Sequence, residues 1–164
     1  MAPTTMYLDT CIISGIARED LPQAEQDAVV AILRLYKSDR LELVTSEVAK
    51  GKIGAVPERF RRRHEVIYLL LRDVPVASAQ CADSGLTLTG VGGGRREDPL
   101  YSELKLLLPD EADAQHVFRA IRADADYFAT TDARTILRFS KALYDQHGLV
   151  AALPADCVSS INAS

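Results

Sequence analysis

Four acidic side chains stand where this chain could do chemistry. Asp9 closes the apolar run Met6-Tyr-Leu8, Glu47 follows Leu41-Glu-Leu-Val-Thr-Ser46, and Asp132 follows Tyr127-Phe-Ala-Thr-Thr131. Asp113 falls in the first turn of a helical stretch, one turn after Asp110. A hydroxyl residue flanks each of the first three acids: Thr10, Ser46 and Thr131, the last preceded by Thr130. Parallel strands carry their ends to one edge of a sheet, and open α/β sheets bind ligands outside the carboxyl ends of their strands. Four carboxylates gathered there repel one another unless a cation sits between them. Mg²⁺ and Mn²⁺ take carboxylate and water oxygens, and they suit phosphoryl chemistry because they activate water and neutralise charge on a phosphodiester. The same residues have a plainer explanation. Asp, Ser and Thr cap helices, so each acid taken singly is equally a cap residue.

Placing these acids requires strands that end at them and helices that return the chain. Met6–Leu8 and Leu41–Thr45 read as strands, Val74–Val76 as a short edge strand, Leu86–Val91 as an alternating strand, and Tyr127–Thr130 and Leu149–Leu153 as further short strands. Helical patterns fill the spaces between them: Thr10–Ala17, Pro22–Lys37, Ser46–Lys52, Pro57–Arg72, Tyr101–Leu108, Asp110–Ile121 and Ala133–Gln146. Val29, Leu33 and Tyr36 recur at i, i+4, i+7, which gives the second helix an apolar face. Pro22 suits a first helical position, and the acidic first turn after Asp110 suits the helix dipole. Gly92–Pro99 reads as a flexible loop, and Pro154 onward as a tail with a final turn. Short apolar strands alternating with helices predict an α/β fold with a mainly parallel sheet.

The 164 residues favour a single domain, 1–164, with its core over about 6–153 and a short C-terminal tail. With 48% hydrophobic and 26% charged residues, the composition is that of a globular protein. A net charge of −4 argues against nucleic-acid binding through bulk positive charge, though it leaves room for local basic patches beside an acidic, metal-filled site. Cys11, Cys81 and Cys157 are far apart and odd in number, and no CxxC pair offers a zinc site. Cys11 lies in an apolar run, which makes it a poor nucleophile. The absence of an 18-residue apolar run and of a basic-then-apolar N-terminus predicts a soluble, cytoplasmic chain away from membranes.

Two stretches resemble the PIN-domain nucleases, and among them the small VapC-like toxins of toxin–antitoxin pairs. Tyr7-Leu-Asp-Thr-Cys-Ile-Ile-Ser14 is similar to the family's opening strand with its Asp-Thr/Ser/Asn. Asp113 to Asp132 is similar to its helix, Ala-Asp-Tyr/Phe turn and Thr-x-Asp motif, in order and spacing. Glu47 in Thr-Ser-Glu-Val matches the second acid more loosely, and residues 77–108 have no counterpart in the shortest members. The resemblance implies a three-layer α/β/α domain with strand order 3-2-1-4-5. It implies a metal-dependent ribonuclease in which Asp9, Glu47, Asp113 and Asp132 hold Mg²⁺ or Mn²⁺. Thr131 or Thr130, and Ser14, would support the site through their hydroxyls. It further implies an RNA substrate, a homodimer and, for a toxin, a small antitoxin whose segment covers the acidic pocket. Asp126 resembles the family's structural aspartate and stays outside the site. Asp110 and Glu111 are either decoys or second contributors.

Several cations are candidates for gripping the RNA backbone, since phosphates are bound mostly by Arg and Lys. They are Arg134, Arg95, Arg96 and the run Arg59 to Arg63, each of which is equally a solvated residue. His116 reads as a core or surface histidine rather than a base. Two alternatives stand beside the nuclease reading. One is a PIN-like domain that has lost cleavage and binds RNA or protein, for which the orientation of Glu47 matters. The other is a phosphoacceptor or phosphatase-type α/β protein with Asp9 as nucleophile. Against this last, Cys11 stands where a second aspartate would be needed, and no lysine follows Thr130-Thr131.

Overall fold

The computed structural model describes residues 3–63, 65–77, 86–88 and 95–163. Its centre is β1 (Thr4–Leu8), which pairs in parallel with β2 (Leu41–Val44) on one side and β5 (Tyr127–Ala129) on the other. β6 (Val150–Ala152) pairs in parallel with β5, giving a four-stranded, all-parallel sheet of order β2-β1-β5-β6. The helices between are α1 (Thr10–Arg18), α2 (Gln23–Lys37), α3 (Glu47–Ala55), α4 (Glu58–Arg63), α5 (Glu65–Asp73), α6 (Pro99–Leu107), α7 (Glu111–Arg122), α8 (Ser140–His147) and α9 (Pro154–Ala163). A two-stranded antiparallel ribbon, β3 (Leu86–Leu88) with β4 (Arg95–Glu97), stands apart from the main sheet.

Side-chain alternation along β1 builds a core on each face of the sheet. Met6 and Leu8 pack with the apolar sides of α1, α2 and α5 and with Cys157 of α9. Tyr7, between them, points to the opposite face, with Tyr101 and Leu104 of α6, Val117 and Phe118 of α7, and Leu143 of α8. The Tyr7 ring stacks on Phe128 of the adjacent strand, with centroids 5.2 Å apart and planes 8° from parallel. β1 and β5, at the centre of the sheet, are covered on both faces and carry nearly continuous apolar runs, whereas the edge strand β2 alternates, with Glu42 exposed. No helix among the described residues is long and apolar enough to cross a membrane.

The register brings the strand ends level. Leu8 pairs with Ala129, and Ala129 with Ala152. The ladder runs one step further: Asp9 N–H donates to Ala129 O (3.1 Å) and Thr130 N–H to Ala152 O (3.0 Å). On the other flank, the Thr45 hydroxyl donates to Leu8 O (3.0 Å). At the opposite end of β1, Asp126 acts as a clasp. Its Oδ2 accepts from Thr5 N–H (2.9 Å), its own N–H donates to Thr5 O (2.9 Å), and its carbonyl accepts from Val150 N–H (3.0 Å).

Several sequence expectations need correction. The sheet has four strands rather than the five of order 3-2-1-4-5. Val74–Val76 contributes a single parallel bridge, Val76 to Thr45, because Pro75 can offer only its carbonyl, which accepts from Thr45 N–H (3.0 Å). The helix expected over Ala133–Gln146 starts late. Asp132 ties up the Arg134 and Thr135 amides, a 3₁₀ turn covers Leu137–Phe139, and α8 begins only at Ser140. It closes on Gly148 at φ 70°, a left-handed position that glycine adopts without strain. The expected helix over Pro57–Arg72 needs no such correction: the described residues there are helical, as α4 and α5, and residue 64 between them lies outside the described residues. The loop expected over Gly92–Pro99 contains β4 and the first residue of α6, while residues 89–94 lie outside the described residues. The tail is α9, whose buried Cys157 packs in the α1/α2 core.

Asp126→Ala removes a charged acceptor from the exposed start of β1. It should cost about 1 kcal/mol in urea unfolding and accelerate amide exchange at Thr5. Unchanged exchange there would rule out the clasp.

Candidate functional site

Asp9 lies between β1 and α1, and its backbone begins the helix, yet its side chain makes no capping hydrogen bond. The carboxylate is buried, 4% exposed, and turns toward the end of β5. There the Thr130 hydroxyl donates to Asp9 Oδ2 at 2.7 Å and accepts from Asp132 N–H at 3.1 Å. One hydroxyl thus sets the position of an acid on each of two adjacent strands. Capping accounts for the backbone of Asp9 and not for its side chain.

Cys11 completes the shell around Asp9. Its thiol donates to Asp9 Oδ2 (3.1 Å), and its sulfur accepts from Thr131 N–H (3.2 Å) and the Thr131 hydroxyl (3.3 Å). Burial, and then the Asp9 charge, push the thiol from 9.0 up to about 11. At neutral pH Cys11 is therefore a protonated donor rather than a nucleophile, for a stronger reason than its apolar neighbours in sequence.

Asp132 and Asp113 face the same region from β5 and α7. Burial raises the Asp132 carboxyl, but the Thr135 N–H and hydroxyl, the Arg134 N–H and the Arg134 guanidinium outweigh it, and the net shift is downward. Asp132 Oδ1 accepts from Arg134 N–H (3.0 Å) and Thr135 N–H (2.9 Å), so here the cap reading holds for one oxygen. Asp113 is raised, first by burial and further by the negative charges of Asp110, Asp132 and Asp9; the Thr135 hydroxyl alone opposes this. That buried hydroxyl stands near both carboxylates without hydrogen-bonding alignment to any partner. The sequence reading missed Thr135. Its only signal is the spacing Asp132-x-x-Thr135, which also describes an ordinary turn.

The remaining candidates separate by position. Asp110 is the N-cap of α7, its Oδ1 accepting from Ala112 N–H (2.8 Å) and Asp113 N–H (3.2 Å), and Glu111 accepts from the Tyr101 hydroxyl (3.0 Å). Both have structural roles. Glu47 is exposed in the first turn of α3, capped by Ser46, whose Oγ accepts from Ala49 N–H (3.1 Å). Its charge acts on Lys50, which caps the end of α5 through Leu71 O (3.1 Å) and Arg72 O (2.6 Å). Ser14 Oγ accepts from Lys52 Nζ at 3.4 Å, linking α1 to α3. Arg134 is exposed, with its guanidinium beside Asp132. Arg62 is paired with Glu58 at 2.7 Å. Arg95 and Arg96 fall on β4, and their side chains lie outside the described residues.

Beneath the acids lies a buried polar layer. His116 Nδ1 and the Tyr7 hydroxyl are 3.0 Å apart, and both residues are buried. Burial chiefly lowers His116, keeping it neutral, and raises Tyr7 to about 12. The contact between His116 Nδ1 and the Tyr7 hydroxyl makes His116 a satisfied core histidine. Arg119, Ser46 and the Asp9 charge also act on Tyr7.

The donor chemistry suits a hard divalent cation, being all carboxylate and hydroxyl oxygen. Among the described residues, no group of three or more His, Cys, Asp or Glu side chains stands close enough to hold a metal ion. Mg²⁺ does not need such a cage. It keeps several waters and binds through one or two carboxylates together with substrate phosphates, and in that sense the residues present fit it. No family model, curated protein or solved structure matches the chain. What the fold and site define is a parallel α/β domain with Asp9 and Asp132 joined through Thr130 at the carboxyl edge of its sheet, and with Asp113 raised in part by their charges.

Thr130→Val leaves the buried Asp9 carboxylate without its shortest hydrogen bond and should lower the unfolding free energy by about 1–3 kcal/mol. A wild-type urea midpoint would refute this. Asp113→Asn should act in the opposite direction. A carboxyl raised above its ordinary 3.8 in the fold favours folding while protonated, and that contribution is lost as pH rises through the folded value. Removing the charge should therefore raise the urea midpoint at pH 7, with the gain disappearing below about pH 3.8, where both states are protonated. An equal gain at pH 3 would mean that repulsion is not its source.

Proposed function

We propose that this chain is a PIN-like, Mg²⁺- or Mn²⁺-dependent ribonuclease that hydrolyses RNA phosphodiester bonds. The observation that carries the reading is the Thr130 hydroxyl, which donates to the buried Asp9 carboxylate at 2.7 Å and accepts from Asp132 N–H at 3.1 Å, so that two acids meet at the carboxyl edge of the sheet. Asp9, Asp113 and Asp132 would hold the ion, with Glu47 of α3 as the fourth acid. When bound, the ion supplies an activated water and neutralises charge on the phosphodiester. The chain's own residues do the rest. Thr130 and Cys11 fix Asp9, the Arg134 and Thr135 amides fix Asp132, and the Arg134 guanidinium would grip a phosphate beside Asp132. Thr131 holds Cys11 in place, and Ser14 links α1 to Lys52. Arg95 and Arg96 are proposed as further backbone contacts. A cytoplasmic homodimer, with an antitoxin segment over the pocket if the chain is a toxin, completes the proposal.

One observation favours a second reading, a PIN-like domain that binds RNA or protein without cutting it. Glu47 is exposed on α3 and no metal-holding group of three side chains is preformed among the described residues. The two readings diverge in a single assay. The nuclease reading expects cleavage of single-stranded RNA with Mg²⁺ or Mn²⁺, loss of cleavage in excess EDTA, and at least a hundredfold loss in Asp9→Asn with its fold retained by circular dichroism. Cleavage that survives EDTA, or full activity in Asp9→Asn, rejects the metal site. RNA binding without cleavage under any divalent ion selects the second reading.

A further inference from the structure

A cavity of about 350 Å³ is lined in part by Cys11 and Thr131, two residues that bond to each other, Cys11 also bonding to Asp9. It lies between α1, the turn leading into α2, and the residue that follows β6. Its size falls within the range of small-ligand sites, roughly 300–1,000 Å³. Gly15 lets the turn close over α1. A Cβ there would stand 3.2 Å from Leu21 Cδ1 and 3.4 Å from Asp20 Oδ1. Leu21, Pro22 and Leu153 supply apolar walls, and Asp20 and Glu25 supply carboxylate acceptors. Glu25 is buried and gives Oε2 to the first turn of α9, accepting from Ala155 N–H at 3.0 Å, which leaves Oε1 as an acceptor. At the rim Arg18 pairs with Asp20 at 2.8 Å.

We propose that this cavity is a nucleobase subsite that takes an unpaired base carrying an exocyclic amino group, adjacent to the scissile phosphate. The choice of an RNA base as occupant rests on the nuclease reading; the preference among bases rests on the cavity. Proteins read single-stranded RNA by drawing unstacked bases into pockets and bonding their edges. Asp and Glu accept from the cytosine amino group, whereas uracil presents a carbonyl oxygen at the same place and meets carboxylate repulsion. The apolar walls suit the base faces, and two carboxylates against one guanidinium disfavour a phosphate in the cavity itself. Cys11 and Thr131 form its shared wall with the Asp9 shell, so a base seated there abuts the acids without displacing them.

The test titrates the ¹⁵N-labelled chain with cytidine and with uridine in EDTA. Nucleosides carry no scissile bond, so the result is independent of cleavage. Cytidine should shift the Gly15, Leu21 and Leu153 amides and bind at least about tenfold more tightly than uridine. Glu25→Gln should bring the ratio toward unity, since an amide offers both a donor and an acceptor. Asp20→Asn, an exposed rim change that leaves the α9 cap untouched, should reduce it if Glu25→Gln does not fold. Equal affinities, shifts confined to other amides, no binding, or an unchanged ratio in the folded variants would overturn the subsite. Selective cytidine binding by a chain that cleaves no RNA would keep the subsite and remove the nuclease. Cleavage without selectivity would do the reverse.

Discussion

The Thr130 hydroxyl bond to Asp9 is the contact on which the acidic edge depends. It joins the residue after β5 to the residue after β1, and its second bond, from Asp132 N–H, carries the constraint into the following turn. The bond can form only because β1 and β5 end level, which follows from the pairing of Leu8 with Ala129. A one-residue slip would place Thr130 on the other face of the sheet. Register is fixed in turn by the alternation of Met6, Tyr7 and Leu8 between two separate cores. The chemistry of the edge is therefore held by packing far from it, with the Tyr7–Phe128 stack on one face and the α1/α2 core on the other.

The sequence foretold the strands that end at Asp9 and near Asp132, because short apolar runs that stop at Asp and Thr are a strong local signal. It foretold the α7 helix from the stretch Asp110–Ile121 with its acidic first turn. It could not separate sites from caps. Asp9, Asp110 and Asp132 look alike in sequence. In the fold Asp110 is wholly a cap, Asp132 is half a cap, and the Asp9 side chain is none. The difference lies in side-chain torsions set by partners up to 121 residues away, such as Thr130 for Asp9. Thr135 and Cys11 escaped for the same reason: their roles exist only when β1, β5 and α7 are brought together.

Where the sequence reading misplaced elements, the cause is competition for backbone groups. The Asp132 carboxylate takes the Arg134 and Thr135 amides, so a helical pattern from Ala133 begins only at Ser140. Pro75 limits the edge of the sheet to one bridge. The C-terminal segment read as a tail because Pro154-Ala-Asp-Cys has little periodicity. It becomes helical because Glu25, across the chain, receives the Ala155 amide and α9 packs on α2. Tertiary contacts supply what local propensity lacks.

Acids gathered at one edge repel one another, and the way this fold accommodates them bears on its chemistry. Each carboxylate has its own neutral or local compensation. Asp9 takes a hydroxyl and a thiol, Asp132 takes two backbone amides, and Asp113 sits in the first turn of α7, where the helix dipole favours negative charge. Hydrogen bonds of this kind stabilise each charge but do not cancel it. The Asp113 carboxyl is raised, chiefly by burial and further by the charges of Asp110, Asp132 and Asp9. Under the proposed nuclease function, such an edge would take a cation together with its substrate, the mode of binding suited to Mg²⁺, which reaches its sites with waters and phosphates still attached.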